Sequence, residues 1–177
     1  MRKIVLTFGL IAGGILAGTM LAAMPFHDAI GNEGGMLLGY TSMVLAFLLI
    51  YFGVRRYRDR VAGGRIGFPK ALGVGALIAL VASSCYVATW EALYFGTKSD
   101  YIEKYMAREI QKARRSGESE AQIAAKAAEM QKFAEMYRNP LFNTAITFME
   151  PLPVALVIAL VSAGILSRRR RDAPLPA

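Results

Sequence analysis

A chain of 177 residues has room for one domain, and 55% apolar residues with a mean hydropathy of +0.37 are too greasy for an ordinary soluble fold. One cysteine and one histidine exclude a disulfide framework and a multi-thiolate zinc site. The net charge of +8 would suit nucleic acid, but its placement points elsewhere. Arg55, Arg56, Arg58, Arg60, Arg65 and Lys70 crowd around Asp59, and Arg168 to Arg171 stand beside Asp172, each cluster against an apolar stretch. That is the signature of a membrane-spanning chain whose basic flanks stay on the cytoplasmic side, so the expected partner is the lipid bilayer and not nucleic acid.

Taken in chain order, charges are missing from Ile4 to Met24, from Gly34 to Val54 and from Ala71 to Trp90, and only Glu150 interrupts Asn143 to Ser167. Each stretch has about the ~20 residues that a helix needs to cross a ~30 Å hydrocarbon core. The expected fold is therefore an all-α integral membrane protein of one domain, with spans near 4–24, 34–54, 71–90 and 145–167. Arg2 and Lys3 place the amino terminus inside; Pro25 to Glu33, with only Asp28, Glu33 and His27, forms an outer loop; the arginine-rich linker is inside again. Glu91 to Phe142 has nine basic and eight acidic residues and returns to the outside, leaving both termini in the cytoplasm. Arg2-Lys3, the apolar run and Leu21-Ala22-Ala23 also imitate a signal peptide, but the run exceeds the ~7–15 residues of a signal core, so a retained helix is expected.

Between lipid-exposed helices the hydrophobic drive is weak, and close approach relies on small residues. Gly9-x-x-x-Gly13, Gly14-x-x-x-Gly18 and Gly35-x-x-x-Gly39, then Gly75, Ala79 and Ser83, then Ala155, Ala159 and Ala163, supply a small-residue stripe to every span and predict packing within the chain. Phe26, Trp90, Tyr94, Phe95, Phe142 and Phe148 on the outer side, and Tyr51, Phe52, Tyr57 and Phe68 on the inner, are expected as headgroup-level anchors. Cys85, in the middle of the third stretch, reads as a small buried hydrophobe.

Residues 98–138 read as an extracytoplasmic helical hairpin inserted between the third and fourth spans. Ser99 is placed to cap its first helix, Ser116-Gly117 breaks it, and Ser119 with Gln122 forms a capping-box pattern for the second, which Asn139-Pro140 ends. Ile123, Ala127, Met130, Ala134 and Tyr137 recur at helical spacing as one apolar stripe. The stripe is covered either by Ile102, Met106, Ile110 and Ala113 of the first helix, or from outside by a protein partner, the membrane surface or a second copy of the chain.

The polar residues inside apolar surroundings carry what functional signal there is. A carboxylate within a span is costly unless protonated, paired or facing a wet cavity. Glu150 is thus either a functional point at a proline-loosened kink, with Pro151 and Pro153 following it, or a rim acid at the true start of a shorter span. His27 and Glu91 belong to the same outer level, so Glu150, Glu91 and His27 form the candidate polar cluster, able to respond to protons or cations if the three converge. No glycine-rich phosphate loop after a strand, nucleophile elbow or metal-binding His/Glu repeat is present, and neither an enzyme nor a cofactor is expected.

Gly39-Tyr40-Thr41-Ser42-Met43 with Tyr51-Phe52-Gly53-Val54-Arg55-Arg56-Tyr57-Arg58-Asp59, then Cys85-Tyr86-Val87-Ala88-Thr89-Trp90-Glu91, then Asn139-Pro140-Leu141 and Phe148-Met149-Glu150-Pro151, resemble a bacterial domain-of-unknown-function family, number four-one-nine-nine. The resemblance covers nearly the whole chain. It implies a small multi-pass protein of the bacterial inner membrane, brings no established activity, and assigns no catalytic or binding residue. Two functional classes follow from the residues: a non-enzymatic membrane protein acting through membrane or protein interactions, and a small oligomeric transporter or channel subunit using the acidic outer-leaflet cluster.

Overall fold

The computed structural model describes residues 1–97 and 100–168, and within them every side chain except those of His27 and Asp28. Helix α1 spans Arg2–Ala23, α2 His27–Arg60, α3 Phe68–Gly96, α4 Tyr101–Arg115, α5 Glu120–Tyr137, α6 Pro140–Met149 and α7 Pro151–Leu166, and no strand occurs among the described residues. Among the described residues, four helical segments are long and apolar enough to cross a membrane: Arg2–Phe26, Ala29–Arg60, Phe68–Gly96 and Pro140–Leu166. Leu10, Leu37, Leu45, Leu80 and Val157 lie exposed on their outer faces, an amount of apolar surface that suits lipid contact. The chain is an all-α membrane protein.

At several ends the helices run beyond the charge-free stretches, α3 for one continuing to Gly96. Helix α2 does not stop at Val54 but carries Arg55, Arg56, Arg58 and Arg60 on its final turns, where cations suit the negative end of the helix dipole. At its other end Gly31 breaks the helix with φ +71°, a conformation that glycine takes without a Cβ penalty. The expected cap Ser99 and the arginines 169–171 lie outside the described residues. Asp100 stands at the start of α4, with no side-chain cap bond, whereas Ser119 and Gln122 form the full capping box of α5. Asn139 does more than end α5: its side chain accepts from the Leu141 and Phe142 amides and starts α6.

Helix α1 packs on α3 through bare backbone. A Cβ added at Gly9 would stand 2.6 Å from Val81 Cβ, and one at Gly13 would stand 2.6 Å from Cys85 Cβ. Gly53 in α2 is equally close to Ile78 Cδ1 at 2.5 Å, and Gly75 in α3 sits against Ala159 and Ile50. These contacts close one half of the bundle around Phe47, Ile50, Val54, Ile78 and Ala163, all 0% exposed.

The other half is not closed. Helix α1 has no buried residue after Leu16, and α2 has none before Met43 among the described side chains. The glycine stripes expected to pack there do not. A Cβ at Gly14, Gly18, Gly35 or Gly39 would meet nothing within 4 Å. On that open side Trp90, Tyr94, Ile102, Ala134 and Tyr137 form a second apolar cluster joining α3 to α4 and α5. Trp90 and Tyr94 are thus core residues of that cluster and not headgroup anchors. Arg138 at the end of α5 pairs with Glu103 in the first turn of α4 at 3.2 Å.

The two kinds of glycine make opposite predictions. Gly13→Ala pushes against a rigid Cβ and is expected to lower unfolding stability in detergent by about 1–3 kcal/mol, as overpacking does. Gly14→Ala, one residue on, is expected to change it by less than about 0.5 kcal/mol. Equal effects at the two positions would contradict the close α1–α3 approach.

Candidate functional site

Where α1 and α2 part from α3, a cavity of about 670 Å³ opens. Its walls are Leu16, Thr19 and Met20 of α1, the bare strip Gly35, Gly39 and Ser42 of α2, and Tyr86 and Trp90 of α3. Helix α4 lies across its mouth with Tyr101, Tyr105, Glu109 and Lys112. That lid is tied to α2 by polar contacts to Asn32 and Glu33. Lys112 pairs with Glu33, Asn32 Nδ2 donates to Glu109 Oε1 at 3.0 Å, and Arg108 Nη1 donates to Asn32 Oδ1 at 2.9 Å. The Glu33 carboxylate beside it raises the exposed Lys112 ammonium above its ordinary value.

Glu150 sits at the junction of α6 and α7. Its backbone is helical (φ −70°, ψ −54°), so the chain passes through without a bend into a loop. The proline nitrogens of Pro151 and Pro153 lack the protons that would bond to Thr147 and Met149, which accounts for the break in the ladder. Helices α6 and α7 together, Pro140–Leu166, are long and apolar enough to count as one candidate span that includes Glu150. Tyr86 Oη donates to Glu150 Oε2 at 2.8 Å, joining α3 to the α6–α7 junction.

One face of α6 continues this polar seam. Asn143 is 0% exposed and bonds three ways: Trp90 Nε1 donates to its Oδ1 at 3.0 Å, Thr147 Oγ1 donates to the same oxygen at 3.2 Å, and its Nδ2 donates to the Tyr137 carbonyl at 3.2 Å. This residue therefore locks α3, α5 and α6 together. Beside it a smaller cavity of about 250 Å³ lies between Tyr86, Trp90, Tyr101, Tyr137, Thr147 and Glu150. Burial pushes the Tyr101 phenol up and the Tyr137 phenol up to about 12, so both are neutral at ordinary pH.

The residues singled out from the sequence fare unequally. Glu150 lines both cavities. Glu91 lines neither, and its Oε1 is buried with no hydrogen-bond partner among the described residues. The side chain of His27 lies outside the described residues, so no convergence of the three is visible. Of the apolar stripe, Ile123, Ala134 and Tyr137 are buried within the chain, while Ala127 and Met130 are half-buried. Sequence reasoning missed Tyr86, Tyr101 and Asn143. The signal that could have found them is periodic: Tyr86 and Trp90 are four apart, as are Asn143 and Thr147 with Glu150 three further on, so each set shares a helix face.

A family model described as protein of unknown function (DUF4199) matches residues 7–168. The chain belongs to that family. No curated protein and no solved structure matches it. The family's description names no activity.

The Asn143 node has a measurable consequence. Asn143→Leu keeps the volume but leaves the Trp90 indole N–H and the Tyr137 carbonyl without partners, and is expected to cost about 1–3 kcal/mol of stability with a shift in tryptophan emission. Since the chain has one tryptophan, that emission reports Trp90 alone. A variant as stable as the parent with unchanged emission would remove Asn143 from this role.

Proposed function

We propose that this DUF4199 member is a multi-pass protein of a bacterial cytoplasmic membrane, both termini inside, that binds an amphiphilic molecule in the cavity between α1, α2, α3 and α4. The observation that carries the reading is the bare α2 strip. Gly35 and Gly39 line the cavity with no neighbour within 4 Å of where a side chain would be, opposite Tyr86, Trp90 and Glu150. Glycines that pack against nothing in a spanning helix leave room for something else, and a cavity of several hundred Å³ with an apolar wall and a few polar groups is of ligand size.

Depth supports an amphiphile. Measured from the arginine-rich end at ~1.5 Å per residue, Tyr86 lies roughly 27 Å along α3 from Phe68, and Glu150 roughly 24 Å along α7 from Leu166. On those lengths the pair would stand near the far boundary of a ~30 Å hydrocarbon core, where acyl chains meet headgroups, which favours an amphiphile. Basic residues gathered on α2 and on the turn after it, against the nearly balanced α4 and α5, support the inside-to-outside direction.

A conduit finds less support than a binding site. Beyond the cavity the bundle is filled by Met43, Ala46, Phe47 and Ile50, each at most 1% exposed. An external partner docked on the α5 stripe is likewise less favoured, because Ala134 and Tyr137 are already packed with Ile102 and Trp90.

Filling the cavity tests the proposal. Gly39→Leu has open space for its side chain and should fold with unchanged thermal stability while losing amphiphile that co-purifies with the parent, as read by native mass spectrometry. Gly14→Leu, also in open space but outside the cavity lining, should retain it. Equal retention by both variants would count against a ligand in this cavity.

A further inference from the structure

Proceeding from the amphiphile reading, we infer that the smaller cavity is an aromatic cage for a methylated ammonium head group, so that the ligand is a cationic or zwitterionic amphiphile carrying such a group.

Four aromatic residues and one carboxylate enclose the 250 Å³ space: Tyr86, Trp90, Tyr101, Tyr137 and Glu150. Trp90 and Tyr101 meet at a ring-centroid distance of 4.9 Å with an interplanar angle of 82°, forming two walls of a corner. Tyr137 is held in place edge-on by Tyr94 at 5.3 Å. The Trp90 N–H is held by Asn143, outside the lining, and the Tyr86 O–H by Glu150 within it, so both rings are fixed by hydrogen bonds at their polar tips. Among the described residues no Lys or Arg lines this smaller cavity.

That set of groups selects by chemistry. An anion would meet a carboxylate and the negative faces of aromatic rings. A primary ammonium is strongly hydrated and gives up that shell only for acceptors placed around its three N–H bonds; the lining offers the hydroxyls of Thr147 and the tyrosines, and Glu150, which already accepts from Tyr86. A trimethylammonium needs none: it is weakly hydrated, spreads its charge over methyl groups, and is attracted to ring faces within ~6 Å of the centroid. Tyr86, Trp90, Tyr101 and Glu150 also line the larger cavity, so the two spaces share a wall and a head group in the cage leaves its chain directed toward the apolar strip of Met20, Gly35 and Gly39.

The test uses the full-length protein in nonionic micelles, with Trp90 emission as the reporter and four probes of equal chain length: dodecyltrimethylammonium, dodecylammonium, dodecyl sulfate and dodecyl maltoside. The cage predicts saturable binding of the trimethylammonium probe at least tenfold tighter than the sulfate and the maltoside, and several-fold tighter than the primary ammonium. Tyr101→Phe, which keeps the ring, should preserve that order, and Tyr101→Leu should erase the preference over dodecylammonium while still binding the chain. Equal affinity for all four probes, or a tighter primary ammonium or sulfate, overturns the cage and leaves the amphiphile site standing. No saturable binding of any probe overturns both. The head-group series on the parent protein decides the matter even where a variant fails to fold.

Discussion

The close approach of α1 to α3 at Gly9 and Gly13 is the constraint on which the rest of the molecule depends. With Val81 and Cys85 seated against bare backbone, the two helices are fixed at Gly9 and Gly13, and Gly53 and Gly75 bring α2 and α7 onto the same α3 core. In a bilayer such contacts take the place of hydrophobic drive, since lipid is as apolar as leucine. Because the packing glycines stop short of Leu16, α1 beyond it meets the Trp90 cluster through the flexible side chains of Met20 and Met24 and not through bare backbone, and α2 before Met43 has no buried side chain among those described. The cavity is the geometric remainder of where the small residues are used and where they are not.

A remainder of this kind would close or flood without a frame, and the polar seam supplies one. Asn143 fixes Trp90, Thr147 and the end of α5 at once, and Tyr86 holds Glu150 where the proline pair has opened the helical ladder. Every one of these groups is paired within the protein, which is what a low-dielectric setting demands of buried polar atoms. The same bonds that satisfy the seam set the ring orientations of the cage. Structure and ligand selection are therefore the same set of contacts read twice.

Much of the fold was legible because the governing signals are one-dimensional. Charge-free runs of about the right length gave the spans, the Ser119–Gln122 pair gave a helix start, and Glu150 stood out as a lone acid in an apolar run. What was not legible depends on which way a helix is turned. Gly9 and Gly35 look alike in sequence, yet one is pressed against Val81 and the other faces a cavity, and only the packing of neighbours tells them apart. Trp90 and Tyr94 read as interfacial anchors because the border of a span is where aromatic residues usually collect; that α4 and α5 fold back over them could not be seen from spacing. Glu91 and Glu150, two carboxyl side chains that sequence assigns to one outer level, diverge for the same reason: their helix faces differ.

The resulting picture is a four-span protein closed at its basic end and hollow at the other, with a hollow shaped for a chain and lined at one side by rings and an acid. The most direct test is a structure determined in lipid nanodiscs. The account predicts elongated density lying along Gly35 and Gly39, with its head between Tyr86, Trp90 and Tyr101. A cavity closed by another helix seated on Gly35 and Gly39, or one holding only water, would contradict it.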